Sequence, residues 1–189
     1  MKTFRSLILF ALLFPASLLA ERPNVILIIS DDHAWTDYSF LGNEKIRSPH
    51  IDRLAAEGLT FTRGYVTTAL CSPSLATMLT GLYTHQHGIT GNDPVKGEDR
   101  EAWLDRFFEH PMLPKLLADA GYNTMHTGKY WMNQPAAAGF TRDIGETGRH
   151  GGKSLDIGRK TMKPIYDFMD QSIENKKPFF VWYAPFLPH

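Results

Sequence analysis

The chain has 189 residues, 43% of them hydrophobic and 12% aromatic, which is enough apolar material for one folded domain and excludes disordered, collagen-like and coiled-coil proteins. Basic and acidic side chains both number 20, so no basic excess favours binding to nucleic acid or to an anionic membrane. The only cysteine, Cys71, excludes an internal disulfide and a cysteine-rich zinc site. It is either a small buried apolar residue or a reactive group.

The first twenty residues have the outline of a signal peptide. Two basic side chains precede an apolar run over residues 7–14, and small residues follow the run. Pro15 interrupts this segment, which is shorter than the roughly 20 residues that cross a bilayer, so a stable membrane anchor is the disfavoured alternative. We therefore expect cleavage after residue 20, export to the periplasm or the medium, and a mature domain over residues 21–189.

Strands and helices alternate along the rest of the chain. The apolar, β-branched run over residues 25–29 predicts a strand buried on both faces, as parallel sheets require. Ser48 and Pro49 are typical of a helix start, and Gly58 of a left-handed residue at its end. Further helices are expected from Pro73 to Gly81, over about 113–120 and up to about 174, where Met162, Ile165, Tyr166, Met169 and Ile173 mark one face. Further strands are expected over residues 59–67, 122–127 and 179–183.

This alternation predicts an α/β fold with a mainly parallel sheet sandwiched by helices. Residues 92–110 and 135–154 show no regular hydrophobic period and are predicted to be surface loops, with the charged run over 96–106 as a solvated face. In folds of this class, ligands bind beyond the carboxyl ends of the strands. Residues that follow a strand are therefore the first candidates for a functional site.

Two motifs place candidate functional side chains at that edge. Asp31 and Asp32 follow the first strand, and paired carboxylates suit calcium or magnesium, although turns at strand ends also favour aspartate. Cys71 stands just before Pro73, the first residue of an expected helix. The unpaired N–H groups and the dipole of a helix start favour an anion or a thiolate there. A purely structural cysteine is the alternative.

Residues 71–81 (Cys-Ser-Pro-Ser-Leu-Ala-Thr-Met-Leu-Thr-Gly) resemble the signature of the type I sulfatases, whose cysteine within Cys/Ser-x-Pro-x-Arg is oxidised to formylglycine. Other segments match this family in order: Arg-Pro-Asn at 22–24, the aspartate pair at 31–32, Ser-Pro-His-Ile-Asp-Arg-Leu-Ala at 48–55, Thr-Gly-Lys-Tyr at 127–130 and Tyr-Ala-Pro at 183–185. The chain thus resembles the amino-terminal portion of a sulfatase catalytic domain, a truncated member of the alkaline-phosphatase superfamily.

The resemblance implies an arylsulfatase-like hydrolase of sulfate esters. Asp31, Asp32 and the modified Cys71 would hold a calcium ion. Cys71, as hydrated formylglycine, would attack the sulfur, Lys129 would neutralise the sulfate, and His189 would protonate the leaving alcohol. The implied partners are a sulfated small molecule or glycan and a formylglycine-generating or equivalent maturation enzyme.

Several positions depart from the family pattern. Leu75 stands at the signature arginine, whose guanidinium a leucine does not replace. Trp131 stands at the histidine of Gly-Lys-Trp-His, a role for which His150 is a candidate substitute. Where relatives read Ala-Pro-His-x-Pro, this chain reads Ala-Pro-Phe-Leu-Pro-His. Either Phe186 has replaced the catalytic histidine, or a three-residue shift makes His189 the imidazole, and the repeated Pro-His step favours the shift.

Two alternative functions follow from these departures and from the chemistry of tetrahedral anions. One is a hydrolase of phosphate or phosphonate esters in the same superfamily, and the other is a non-catalytic relative that binds sulfated glycans. The family's second metal-binding pair and a second lysine come from segments after this histidine, so we expect residues 21–189 alone to lack sulfatase activity.

Other side chains of chemical interest have structural interpretations. His85 and His87 have a spacing that suits zinc, but similar histidines in sulfatases are not metal ligands. Aromatic faces that suit a sugar ring are presented by Trp35, Trp103, Tyr130 and Trp131, although core packing is the commoner role of such residues. We therefore expect neither group to form the site.

Overall fold

The structure is a computed structural model that describes residues 22–130, 132, 134–144 and 152–189. The expected signal peptide, Trp131 and His150 lie outside the described residues. None of the helices found in these ranges has the length and the apolar character needed to cross a bilayer.

The described residues form four strands, six α-helices and three short 3-10 helices. The strands are β1 (Val25–Ile28), β2 (Asn123–Gly128), β3 (Arg142–Asp143) and β4 (Phe179–Ala184). The helices are α1 (Pro49–Glu57), α2 (Cys71–Thr80), α3 (Thr84–His87), α4 (Arg100–Phe108), α5 (Leu113–Asp119) and α6 (Lys163–Glu174). The 3-10 helices are Trp35–Asp37, Ser39–Leu41 and Gly152–Asp156.

The four strands form one parallel sheet in the order β1-β4-β2-β3. The sheet confirms the predicted α/β class, and the strands expected over 122–127 and 179–183 are present within one residue at each end. Because all the pairings are parallel, the carboxyl ends of β1, β4 and β2 meet at one edge of the sheet. The residues that follow these three strands therefore come together in space.

The core lies on both faces of β4, as the two-residue period of a strand requires. Phe180 and Trp182 pack with one hydrophobic cluster, which includes side chains of α2, α4 and α5. Phe179 and Val181 pack with a second cluster, which includes Ile165, Phe168 and Met125. The continuous apolar run of β4 is thus explained by burial on two sides.

β1 forms as predicted, but the expectation that it is buried on both faces is wrong. Val25, Ile26 and Ile28 are 37%, 48% and 62% exposed. The reason is position, because β1 lies at the end of the four-stranded order and pairs only with β4 among the described strands. A β-branched run predicts a strand but does not specify whether it lies at the centre or at an edge of the sheet.

The strand expected over residues 59–67 is absent. This segment contains turns and pairs with none of the described strands, and Leu59 and Phe61 are 80% and 79% exposed. A strand requires a partner for its backbone groups, and no described strand lies beside it. Together with α1, which buries none of its residues, the segment forms an exposed apolar surface.

The segment over residues 92–110, predicted to be a loop, contains the helix α4. Its charged residues weaken the hydrophobic period from which a helix is predicted. Asp99 caps this helix by accepting a hydrogen bond from the N–H of Ala102. Trp103, Leu104 and Phe107 are buried on its inner face. The loop predicted over 135–154 also contributes to the core through Ala138 and Phe140, and it contains the short strand β3.

Helix ends and faces differ from expectation in three places. α2 begins at Cys71 and not at Pro73, although it ends before a left-handed Gly81 (φ 71°). Gly58 after α1 is extended (φ −110°, ψ −163°) and not left-handed. α6 buries Ile165 and Phe168, whereas Tyr166 and Ile173 on the predicted face are 55% and 58% exposed.

A hydrogen-bonded cluster holds the start of α1 against the preceding 3-10 helix. The hydroxyl of Ser39 donates to Oδ2 of Asp52 at 2.6 Å, and the hydroxyl of Ser48 donates to Oδ1 at 2.8 Å. The pKa of Asp52 lies below its usual value of 3.8, chiefly because the hydroxyl of Ser39 donates to its carboxylate. Burial raises the pKa, and the hydrogen bond from Ser48 lowers it further. A lowered pKa in the folded state means that ionised Asp52 stabilises the fold.

We expect Asp52→Asn to lower the thermal unfolding midpoint at pH 7, because the neutral amide weakens both bonds. The stabilisation is present above pH 3.8 and is lost as the pH falls through the lowered pKa, so the difference between the two proteins shrinks at acid pH. The matched control is Asp119→Asn, which breaks only an exposed pair with Lys115. Equal shifts in the two variants at pH 7 would contradict the role of the cluster.

Candidate active site

A buried ion pair lies at the carboxyl edge of the sheet. Asp31 follows β1, and Lys129 directly follows β2. The Lys129 ammonium nitrogen, Nζ, lies 2.7 Å from Oδ1 and 2.8 Å from Oδ2 of Asp31. Both side chains are buried. Each charge thus compensates the other, since neither is well solvated by water.

Cys71 lies beside this pair at the start of α2. Lys129 Nζ donates to Cys71 Sγ at 3.3 Å, so one ammonium contacts both the carboxylate and the sulfur. The preceding residue, Leu70, offers no side-chain cap. Asn92 supplies one instead, because its Oδ1 accepts a hydrogen bond from the N–H of Ser72 at 3.0 Å. Asn92 was missed by sequence reasoning, because an acceptor that lies twenty residues from the helix start leaves no local sequence signal.

The second aspartate contacts the last residue of the chain. Nδ1 of His189 lies in hydrogen-bonding contact with Oδ2 of Asp32, whose backbone is left-handed (φ 52°). The N–H of Asp31 donates to the carbonyl of Leu187 at 2.8 Å, which joins the two segments. One possible ligand atom each from Asp31, Asp32 and His189 lies within 4.8 Å of the others. Phe186, the alternative to His189, is a buried side chain.

A cavity of about 450 Å³ opens over these residues. Its polar floor includes Asp31, Asp32, Cys71 and Lys129. Its walls are mostly apolar and include Ala34, Val66, Leu70, Leu75, Met78 and Pro185. The structure therefore brings the predicted nucleophile, the predicted metal carboxylates and the predicted lysine into one pocket. His189 is joined to this pocket by its contact with the carboxylate of Asp32.

Leu75 belongs to both the pocket and the core. It is 4% exposed, lines the cavity and packs with the hydrophobic cluster that includes Leu79 and Trp103. The family arginine at this position would place a guanidinium near Cys71, and Leu75 places a hydrocarbon there. Among the described residues that line the cavity, Lys129 is the only lysine or arginine.

The histidines next to α2 have structural roles. Nδ1 of His87 accepts a hydrogen bond from the N–H of Ile89, and Nε2 contacts the hydroxyl of Thr77 at 3.2 Å. Burial lowers the pKa of His87, with a smaller electrostatic contribution from His110. Both ring nitrogens are therefore engaged, and His85 instead stacks on Tyr83. Neither residue belongs to the one acidic and histidine cluster found among the described residues.

Of the aromatic candidates, two are core residues, as expected. Trp103 and Tyr130 are buried in the same hydrophobic cluster, and burial raises the pKa of Tyr130. Trp35 is instead exposed at the surface.

Gly128 permits the close approach that directs Lys129 into the pocket. It has a φ of +89°, and a Cβ at this position would lie 1.9 Å from the carbonyl oxygen of Ala184. The next residue, Lys129, donates its N–H to that same oxygen at 2.7 Å. Only a residue without a side chain allows the two strand ends to approach so closely.

We expect Gly128→Ala to destabilise the fold far more than Gly42→Ala. Gly42 also has a positive φ, of +101°, but a Cβ there would meet nothing within 4 Å. The Gly42 variant therefore carries only backbone strain of about 1–2 kcal/mol, and the Gly128 variant adds a steric clash of about 1–3 kcal/mol. Urea unfolding of both variants measures this difference, and equal losses of stability would contradict the close approach.

The comparisons with known proteins agree with this architecture. A solved structure described as a complex with its substrate D-glucosamine-2-N,6-O-disulfate is 31% identical and superposes with a TM-score of 0.67 over 89% of this chain and 35% of that chain. A second solved structure, from Bacteroides fragilis, is 19% identical and superposes with a TM-score of 0.72 over 88% of this chain and 44% of that chain, which shows the fold alone. The fold is that of the alkaline-phosphatase-like α/β class.

Sequence comparison narrows this class to one family. The family model described as Sulfatase matches residues 23–189. An N-acetylglucosamine-6-O-sulfatase from Bacteroides thetaiotaomicron is 33% identical over 89% of this chain and 31% of its own length. An N-acetylgalactosamine-6-sulfatase from Sus scrofa is 32% identical over 77% of this chain and 29% of its own length. The chain belongs to the sulfatase family, and it spans about 30% of the length of these curated relatives.

Proposed function

We propose that this chain provides the nucleophile side of the active site of a sulfate ester hydrolase. The observation that carries the proposal is the contact of Lys129 Nζ with both the carboxylate of Asp31 and the sulfur of Cys71, at the floor of a pocket in a sulfatase-family chain. The names of the relatives favour a sulfated amino sugar as substrate. We also propose that residues 1–20 direct export and are removed.

The carboxylates of this pocket suit a calcium ion. Asp31 and Asp32 offer the hard oxygen ligands that calcium prefers, and a hydrated formylglycine at position 71 would add another. Calcium takes about six to eight oxygen ligands, so the described residues supply part of a coordination sphere. When bound, calcium supplies Lewis-acid polarisation of the sulfate oxygens.

Charge balance gives a second reason for a divalent cation. With His189 neutral, two carboxylates and one ammonium leave the floor of the pocket with one net negative charge, which repels a sulfate monoester anion. A divalent cation reverses this sign, and the pocket with cation and sulfate ester together is then neutral. A divalent cation therefore favours binding of the anionic substrate, whether or not His189 is protonated.

Maturation converts the Cys71 thiol to an aldehyde. The β-carbon loses two electrons to molecular oxygen or to another two-electron acceptor used by the maturation enzyme, gains an oxygen atom from water and releases the sulfur as sulfide. Water then adds to the aldehyde and gives a hydrate with two hydroxyl groups. The position of Cys71 at the start of α2, beside Lys129, supports this role.

In the proposed reaction, one hydroxyl of this hydrate attacks the sulfur and releases its proton to water, and the bond from sulfur to the leaving alcohol oxygen breaks. Protonated His189 gives its proton to that oxygen, while the ammonium of Lys129 offsets the charge of the sulfate oxygens. The remaining hydroxyl then gives its proton to the now neutral His189, the carbon–oxygen bond to sulfate breaks, and the aldehyde forms again. Addition of water to the aldehyde restores the hydrate. No water needs to attack the sulfur in this sequence.

A non-catalytic relative that binds sulfated glycans is the second candidate, and Leu75 is the observation that favours it. The side chain is buried in the core and provides no cation beside Cys71. In such a protein, Cys71 remains a thiol and binding of the glycan occurs without turnover. The state of Cys71 therefore distinguishes the two candidates.

The test measures the mass of the peptide that contains Cys71 after co-expression with a formylglycine-generating enzyme. We expect a peptide about 18 Da lighter than the thiol form, as replacement of the thiol by an aldehyde requires. Leu75→Arg, which restores the signature, serves as the matched variant, and Cys71→Ala serves as the negative control. If Leu75→Arg is converted and the wild-type chain keeps its thiol, the result favours the non-catalytic binding relative. If both proteins keep the thiol while a control sulfatase is converted, the proposal is overturned.

Activity of the short chain is a separate prediction. We expect residues 21–189 alone to show no turnover of an aryl sulfate with calcium present, even after conversion of Cys71, because the carboxylates of Asp31 and Asp32 complete only part of a calcium site. The measurement is release of the phenol at saturating substrate. Clear turnover that disappears in Cys71→Ala would contradict the expected need for further ligands.

A further inference from the structure

We propose that Trp182 is a positioning residue for Lys129. The indole N–H of Trp182 donates to the backbone carbonyl of Lys129 at 3.1 Å, and this hydrogen bond is buried. Trp182 is in turn held at the centre of the sheet, where β4 pairs with both β1 and β2. The catalytic consequence of this inference rests on the proposed function, whereas the placement of the ammonium does not.

The hydrogen bond completes a two-point clamp on the backbone of Lys129. Its N–H donates to the carbonyl of Ala184 at 2.7 Å, and its carbonyl accepts from Trp182, so β4 holds both of its polar backbone groups. Indole has a single donor and no acceptor, so its N–H can serve only as a donor to this carbonyl. Loss of the donor leaves the buried carbonyl of Lys129 without this partner, which favours a shift of the backbone.

The clamp matters because the side chain of Lys129 meets two partners at once. Its ammonium lies within 2.8 Å of both carboxylate oxygens of Asp31 and 3.3 Å from Cys71 Sγ. A functional group that is misplaced by about 1 Å loses much of its effect on a reacting centre. A fixed backbone at Lys129 therefore determines whether its charge reaches the sulfur position.

The test measures the positive charge at the sulfur without using activity. Cys71 in its thiol form, verified by mass, is alkylated at one pH with anionic iodoacetate and with neutral iodoacetamide. The ratio of the two rate constants cancels the fraction of thiolate and reports the local charge. Lys129→Met defines the full effect, since loss of one charge at about 5 Å in water changes the ratio roughly fourfold.

We expect Trp182→Phe to lower this ratio by at least half of the decrease seen in Lys129→Met. The matched control is Trp103→Phe, which removes another buried indole from the same hydrophobic cluster and leaves the clamp intact. We expect the control to keep the wild-type ratio. Both variants must first show the wild-type circular dichroism spectrum, so that the ratio compares folded proteins.

Two results would overturn the inference. One is a folded Trp182→Phe protein with the wild-type ratio, and the other is an equal decrease in Trp103→Phe, which indicates general loosening of the core. If Trp182→Phe does not fold, the same measurement is made with benzothienylalanine at position 182, which keeps the shape of the indole and lacks the N–H. Because no turnover is measured, failure here is distinct from failure of the sulfatase proposal.

Discussion

The buried ion pair between Asp31 and Lys129 is the interaction on which the pocket depends. The two residues follow β1 and β2, which are not neighbours in the sheet, because β4 lies between them. The pair therefore bridges the carboxyl edge across an intervening strand. Loss of one partner from a buried pair costs about 3–5 kcal/mol, since the other charge remains in a poorly solvated place. The same ammonium extends this link to Cys71, so a third element, α2, is fixed relative to the two strands.

The site was more predictable from the sequence than the fold around it. Asp31, Lys129 and Cys71 each stand next to the end of a strand or at the start of a helix, which are features of local sequence. Parallel pairing then brings the strand ends to one edge, which places Asp31 and Lys129 together. Local sequence predicted Asp31 and Cys71 as site candidates, whereas Lys129 was predicted only from the resemblance to the sulfatases. The roles of these residues in a reaction remain predictions, because geometry alone does not show them.

Two of the errors in the fold concern long-range neighbours. The exposure of β1 and the absence of a strand over residues 59–67 depend on which other strands lie beside them, and no local pattern states this. α4 was missed for another reason, because its buried residues Trp103, Leu104 and Phe107 are separated by charged residues that face outward. A short helix with three apolar positions gives a weak periodic signal, although its capping residue Asp99 was visible in the sequence.

The departure at Leu75 concentrates the positive charge of the pocket in one place. A hydrocarbon at this position joins the core, which stabilises α2 against the sheet, but it leaves Lys129 as the only lysine or arginine among the described lining residues. Anion recognition in this part of the site then depends on a single ammonium that a carboxylate also attracts. Gly128, before Lys129, and the indole of Trp182, which donates to the carbonyl of Lys129, are consequently more important than they would be beside an arginine. No second lysine or arginine in the described lining can compensate for a displaced Lys129.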